Sequence, residues 1–327
     1  MLSKKLGMAG LLALGLSTAT GADTAANAAE VTLKAISAFA EKTTFSLPFE
    51  KFIDKINAEG KGLVQVNYIG GPKSMPPFEI GNAVRSGVVD MANVTGAYYT
   101  NLMPEADALK LSTISAQEQR KNGAWEYINA LWNKKINAQY LARDIDNIPF
   151  HLYLSKQIEK PDLTGLKLRV TPVYRSFFTA LGATGVQTPP GEVYTALERG
   201  VVDGYGWPIL GIFDLGWQER TKYRVDPGFY NVESSVIVNL DTWKKLDDAQ
   251  RAFLNKQALW LEAQNAEWPK LVAAEKKRQA DAGIQTITFE GAAAKQFVDK
   301  AYEVGWAEII AKSPEDGPKL KALLTGK

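Results

Sequence analysis

Apolar positions along the chain fall into two rhythms, short runs suited to strands and longer stretches with an apolar stripe suited to helices. EVTLKAISAF (30–39) reads as a first strand. FSLPFEKFIDKINAEG (45–60) reads as a helix that sets Phe49, Phe52, Ile53 and Ile56 on one face and ends at Gly60. LVQVNYIG follows as a strand, PPFEIGNAVRSG as a helix with a prolyl start and a glycyl stop, and VVDMANV as a strand. This βαβαβ order predicts a parallel sheet with helices on both faces.

A second cycle begins after Arg143: NIPFHLYLS and LKLRV (166–170) as strands, VYRSFFTALG and EVYTALERG as helices, VVDGYG as a strand. GVVD therefore occurs twice, at Gly87–Asp90 and Gly200–Asp203, each time where a short helix gives way to a strand. Four matching residues alone are open to coincidence. The matching flanks and element order favour one helix-to-strand turn built in two α/β lobes, with Gly87 and Gly200 in the left-handed conformation that ends a helix. Ligands of open α/β sheets gather at the carboxyl ends of the strands. The expected cleft is thus lined by Met91 to Tyr99 from one lobe and Gly204 to Trp207 from the other.

From Ala249 to Ala282 the pattern stays helical with Pro269 inside it, which predicts either one kinked helix or two helices broken at Glu267–Trp268. ITFEG then reads as a strand and AAAKQFVDKAYEVGWAEIIAK as a closing helix.

The front of the chain is of another kind. Lys4 and Lys5 precede the apolar run Leu6 to Leu16 and a small-residue stretch ending Ala26-Asn27-Ala28, the layout of a secretory signal peptide over residues 1–28. The run is too short for a stable membrane anchor, and no later segment approaches 18 consecutive apolar residues, so no membrane insertion of the mature chain is expected. Removing Lys4, Lys5 and Asp23 with the leader leaves 36 basic against 35 acidic residues. That balance offers no electrostatic footprint for nucleic acid. With no cysteine there is neither a disulfide nor a Cys-ligated zinc site.

Motifs for catalysis are missing as well: there is no G-x-S-x-G, S-x-x-K, P-loop or G-x-G-x-x-G in the mature chain. His151 is the only histidine, so neither a histidine metal cluster nor an independent triad is available. No cofactor or metal site is expected, and a non-enzymatic role is favoured. A hydrolase using only carboxylates stays open, because two acids can meet from anywhere in a chain.

KPDLTGLKLRVTPVYRSFFTALGATGVQTPPGEVYTALERGVVDGYGWP, from Lys160 to Pro208, resembles the core of the periplasmic solute-binding subunits of TRAP transporters, the DctP-like family. DPGFYNVESSVIVNLDTWKKLDDAQRAFL (226–254), which includes Asn231, is similar to the family's return segment. The resemblance implies a two-lobe α/β binding-protein fold with a long bent helix bracing both lobes, a periplasmic location, and delivery of a small carboxylate to a sodium-driven membrane permease. It divides the mature chain into one lobe of residues 29–147 plus about 235–268 and a second of 148–234 plus about 269–327. Hinge crossings are expected near Asn147 and near Val232 to Val236.

In that family the arginine of L-K-x-R-V pairs with the substrate carboxylate, and the matching residue is Arg169. An arginine fork donates two parallel hydrogen bonds to a carboxylate and stays charged. Sugar-acid members carry a second arginine on the preceding strand and an asparagine before the closing proline. Phe150 or His151 stands at the first position here and Trp207 at the second. With Tyr98, Tyr99 and Phe39 added, these substitutions point to an aromatic-walled pocket for a planar or largely apolar monocarboxylate. A C4-dicarboxylate or sugar acid is the alternative ligand, and a periplasmic ligand sensor the alternative role.

Overall fold

The computed structural model describes residues 2 and 29–326; the expected leader, 1–28, lies almost wholly outside the described residues. Two sheets carry the fold. The first contains β1 (Val31–Ser37), β2 (Val64–Tyr68), β3 (Met91–Val94), β4 (Ala138–Ile145) and β10 (Ser234–Asn239) in the order β2-β1-β3-β10-β4. The second contains β5 (Pro149–Leu154), β6 (Lys167–Val170), β7 (Thr184–Gln187), β8 (Gly204–Pro208), β9 (Tyr223–Asn231) and β11 (Gln285–Thr288) in the order β11-β9-β5-β8-β6-β7.

Neither sheet is purely parallel, which corrects the expectation drawn from the βαβαβ order. β10 runs antiparallel to β3 and β4, and β5 runs antiparallel to β8 and β9. The reason lies in the crossings. The chain leaves the first sheet at the cleft end of β4, passes Asp146 to Ile148, and enters the second sheet as β5 from its cleft end. It returns over Val232 and Glu233 from β9 to β10. A strand that enters from the cleft must run against neighbours that finish there. Asn147 absorbs the first crossing with a left-handed φ of 60°.

The two GVVD turns match bond for bond. The N–H of Val88 donates to Ala83 O and that of Val201 to Ala196 O, at 2.9 Å each, closing the helix ends around Gly87 (φ 74°) and Gly200 (φ 65°). The N–H of Asp90 donates to Lys34 O (2.9 Å) and that of Asp203 to Lys167 O (2.7 Å). In return each aspartate carboxylate accepts the N–H of the same lysine, at 2.8 and 2.9 Å. Val89 and Val202 are buried, whereas Val88 and Val201 stand in solvent. The likeness also reaches upstream, since PPFEIGNAVRSGVVD (76–90) and PPGEVYTALERGVVD (189–203) share eight residues in register.

Helix Leu47–Glu59 buries the expected face, Phe49, Phe52, Ile53 and Ile56. Gly60 ends it without a left-handed φ; a Cβ there would stand 2.4 Å from Val64 O, so close backbone approach requires the glycine. Residues 248–281 are helical throughout: helix Asp248–Ala263, a 3-10 turn Gln264–Glu267, and helix Trp268–Asp281 with Pro269 in its first turn. Proline is tolerated there because the first-turn N–H groups have no intrahelical acceptor. The first helix packs on β4, and Gln279 of the second donates to Ile209 O beside β8 at 2.7 Å, so the bent rod touches both sheets.

Candidate functional site

The cleft lies between the carboxyl ends of the parallel strands of the two sheets. On the β6 side, Arg169 is completely buried. Its Nε donates to Thr188 O at 3.0 Å, and Nη1 makes a long contact of 3.5 Å to Gly206 O. Nη2 has no hydrogen-bond partner among the described residues, nor does Arg169 form an ion pair there. Burial pulls its pKa below the ordinary arginine value, against the phenols of Tyr98, Tyr174 and Tyr205. A buried cation left without a counter-charge is costly, and an incoming carboxylate relieves that cost. Directly after β6 the chain enters helix Pro172–Ala180, whose N-terminal residues Thr171, Val173 and Tyr174 face the same space and add a second positive pole.

Beside Trp207, aromatic rings line a cavity of about 30 Å³. Trp207 packs edge-on against Phe45 (5.8 Å between centroids) and Trp217 (4.7 Å), and the Arg169 guanidinium carbon lies 5.5 Å from its ring. The Trp207 indole N–H is buried and unpartnered. Phe150 meets Tyr174 at 5.4 Å, and Phe39 lies 6.2 Å from Tyr98. At the opposite wall stands Glu233, in the second crossing. Its carboxylate accepts the Gly96 N–H at 2.8 Å and the Ser235 hydroxyl. Burial raises its pKa, although Arg143 and these donors act the other way.

Of the residues expected from sequence, Arg169, Trp207, Phe150, Tyr98 and Phe39 come together. Three do not. His151 follows Phe150 on β5 and so points to the opposite face; its Nδ1 lies 2.9 Å from Val225 O and 3.1 Å from Asp226 Oδ1. Tyr99 is turned into the first lobe, where its hydroxyl accepts the Trp132 indole N–H at 3.0 Å. Asn231 donates to Ser112 O at 2.8 Å and is outside the cavity wall. Sequence reasoning missed Phe45, Thr171, Tyr174 and Glu233. The first three follow a parallel strand, so the strand-end rule that selected Trp207 would also have selected them. Glu233 carries no local signal.

A buried arginine with one unpartnered arm, set beside a ring-lined cavity to which both lobes contribute, is the arrangement of an α/β solute-binding protein. The family is also settled: residues 36–313 match the model of bacterial extracellular solute-binding protein family 7, and the chain belongs to this DctP family. Its members bind solutes for transport, and the fold is that of TRAP periplasmic solute-binding proteins. A solute-binding protein of Roseobacter denitrificans is 26% identical over 280 residues, 83% of this chain and 86% of that protein. The crystal structure of that protein with bound L-galactonate superposes with a TM-score of 0.76, covering 91% of this chain and 99% of the other at 22% identity. A monocarboxylate 2-oxoacid-binding periplasmic protein of Nostoc sp. is 27% identical over 207 residues, 57% of this chain but only about half (53%) of the relative. DctP7 of Bordetella pertussis, an extracytoplasmic solute receptor binding pyroglutamic acid, superposes with a TM-score of 0.80 at 16% identity, covering 90% of this chain and 99% of that one. Likeness at such identities speaks for the fold. Among the described residues no helix is long and apolar enough to cross a membrane, and no group of His, Cys, Asp or Glu is arranged to hold a metal ion.

Proposed function

We propose that this chain captures a small organic monocarboxylate outside the cytoplasm, holds its carboxylate on Arg169, and hands it to a sodium-coupled TRAP permease. The observation that carries this reading is the buried Arg169 Nη2 with no partner, on a side chain that lies beside Trp207, itself part of the aromatic wall. Two donors on one guanidinium suit a carboxylate better than any neutral group. The ring walls favour a planar or largely apolar body, since a hydroxyl set against Phe39, Phe45 or Phe150 loses its hydrogen bonds to water without replacement. The inner wall weighs against a dicarboxylate, because its lining offers no Lys, Arg or His to a second carboxylate. The acids held by the Nostoc and Bordetella proteins each carry a carboxylate, in keeping with this class.

L-galactonate in the Roseobacter protein keeps a sugar acid as the second reading. A thermal-shift screen of the mature protein separates the two. A ligand at 100 times its Kd adds roughly 2.7 kcal/mol of stability. Aromatic and apolar monocarboxylates are expected to raise Tm the most, while a response confined to sugar acids, neutral sugars or cations contradicts the proposal. The division into lobes at residues 29–147 plus about 235–268 and 148–234 plus about 269–327 belongs to the same proposal, with closure about the crossings at Asn147 and Val232–Glu233. In the structure the Thr44 N–H donates to Asp214 Oδ2 at 2.7 Å across the cleft, a contact that opening would break.

A further inference from the structure

The inner cavity, about 30 Å³, has room for roughly a water or two and no more. A second cavity of about 410 Å³ adjoins it through a shared stretch of wall. Phe39, Phe45 and Trp207 line both spaces, so three rings are the partition between them. The outer chamber is framed by the corresponding diproline segments of the two lobes, Pro76-Pro77 and Pro189-Pro190, with Pro72 beside them. Proline has no backbone N–H. Five residues of the wall therefore offer a polar group no main-chain donor, and Ala38, Ala40 and Leu215 add apolar surface. Of its charged members, Asp214 is engaged by the Thr44 N–H, which leaves Lys73 and Glu192.

We infer that the outer chamber is a second subsite, and that the ligand is an amphiphilic acid whose carboxylate sits on Arg169 while an uncharged aryl or alkyl tail passes the three rings into the chamber. The inference rests on the Arg169 reading above and extends it: the inner cavity takes little more than the head group, and the walls of the outer one suit a tail that needs no hydrogen bonds. Trp207 then has two tasks, since its face stacks on the neck of the ligand while its buried, unpartnered indole N–H lies beside Gly211, which lines the outer chamber.

The test is calorimetric titration of the mature protein with benzoate, phenylacetate, 3-phenylpropanoate and 4-phenylbutanoate. Affinity should rise about threefold or more for each methylene until the chamber is full. Gly191 lines the chamber, whereas Arg169 does not, and a Cβ there meets nothing within 4 Å, so Gly191→Trp adds an indole to that wall without a clash at Cβ. It should erase the gain of the longer acids while benzoate binding persists. Leu215→Asp, which places a charge in the same space, should do likewise if the tryptophan variant fails to fold. An affinity that is flat along the series, with benzoate binding still lost in Arg169→Ala, overturns the chamber and leaves the proposed function standing. A rise that both chamber variants retain also overturns it. No binding of any of the four acids removes both.

Discussion

The two lobes share a frame and differ at its tips. Register relates them residue by residue: Lys34 and Lys167 exchange the same pair of bonds with Asp90 and Asp203, and β10 crosses the first sheet as β5 crosses the second. Counting from those anchors, Arg169 corresponds to Ile36, Trp207 to Val94, and Phe150 to Ser234. Ile36 and Val94 are fully buried hydrophobic residues in the core of the first lobe. The first lobe thus carries two core aliphatics and a hydrogen-bonded serine at these positions, while the second carries a cation and two rings. The first lobe contributes to the cleft from loops instead, through Phe39, Phe45 and Tyr98.

Exchanging roles at equivalent positions should break the comparison most visibly. Ile36→Ala should cost about 2–5 kcal/mol of stability, as large-to-small core changes do. Arg169→Ala should leave the unliganded Tm unchanged or raised, since it removes a buried charge that lacks a partner. Thermal melts of the two variants check this, and equal losses would mean that Arg169 is structural.

Next in size are the shared turns. Asp90→Asn and Asp203→Asn should each cost about 1.5–3 kcal/mol, because each carboxylate accepts the N–H of the corresponding lysine, Lys34 or Lys167, and a second donor, Thr242 or Lys156. Urea denaturation at pH 7 measures both. The Asp203 carboxyl adds a pH signature. Burial pushes its pKa up, but Lys156 and the Lys167 N–H outweigh burial and hold it below the ordinary value. A carboxyl whose folded pKa is depressed contributes stability above its unfolded pKa, near 3.9, and loses it as pH falls through the folded value. Stability should therefore decline below about pH 4 less steeply in Asp203→Asn than in the parent.

A smaller effect belongs to the rings. Trp207→Asn should weaken an aromatic acid by more than tenfold, adding lost burial to an aromatic contact worth about 0.5–1.5 kcal/mol. Equal affinity in both proteins, read by titration, would confine Trp207 to packing against Trp217 and Phe45. The smallest concerns closure. X-ray scattering should show the radius of gyration falling as an acid is added to the unliganded protein, and an unchanged radius at saturation would contradict a hinge at Asn147 and Val232–Glu233.

Much of this was legible in the sequence where the physics is local. GVVD states its turn outright, because a left-handed glycine, an exposed valine, a buried valine and an aspartate each do one nearby thing. Arg169 was expected at the cleft from the resemblance of L-K-L-R-V, and it lies buried beside Trp207. What failed was tertiary. Of Phe150 and His151 only one can face the cleft, and nothing in the two letters says which; the pairing of β5 with β8 and β9 decides it. Tyr98 and Tyr99 share a 3-10 turn, so adjacent rings diverge into cleft and core. Glu233 has no pattern around it, since its place follows from a two-residue crossing that no periodicity marks. The crossings were expected near Asn147 and Val232 to Val236, but the βαβαβ order does not say which way the strands that follow them run.

The central claim is that the Arg169 fork holds the carboxylate, and calorimetric titration with benzoate tests it most directly. Truncating one side of a buried charge pair costs roughly 2–5 kcal/mol. Arg169→Ala should therefore lose affinity by about 30-fold or more. Arg169→Lys, which keeps the charge but not the planar pair of donors, should recover only part of the loss. Full affinity in a folded Arg169→Ala protein would contradict the site.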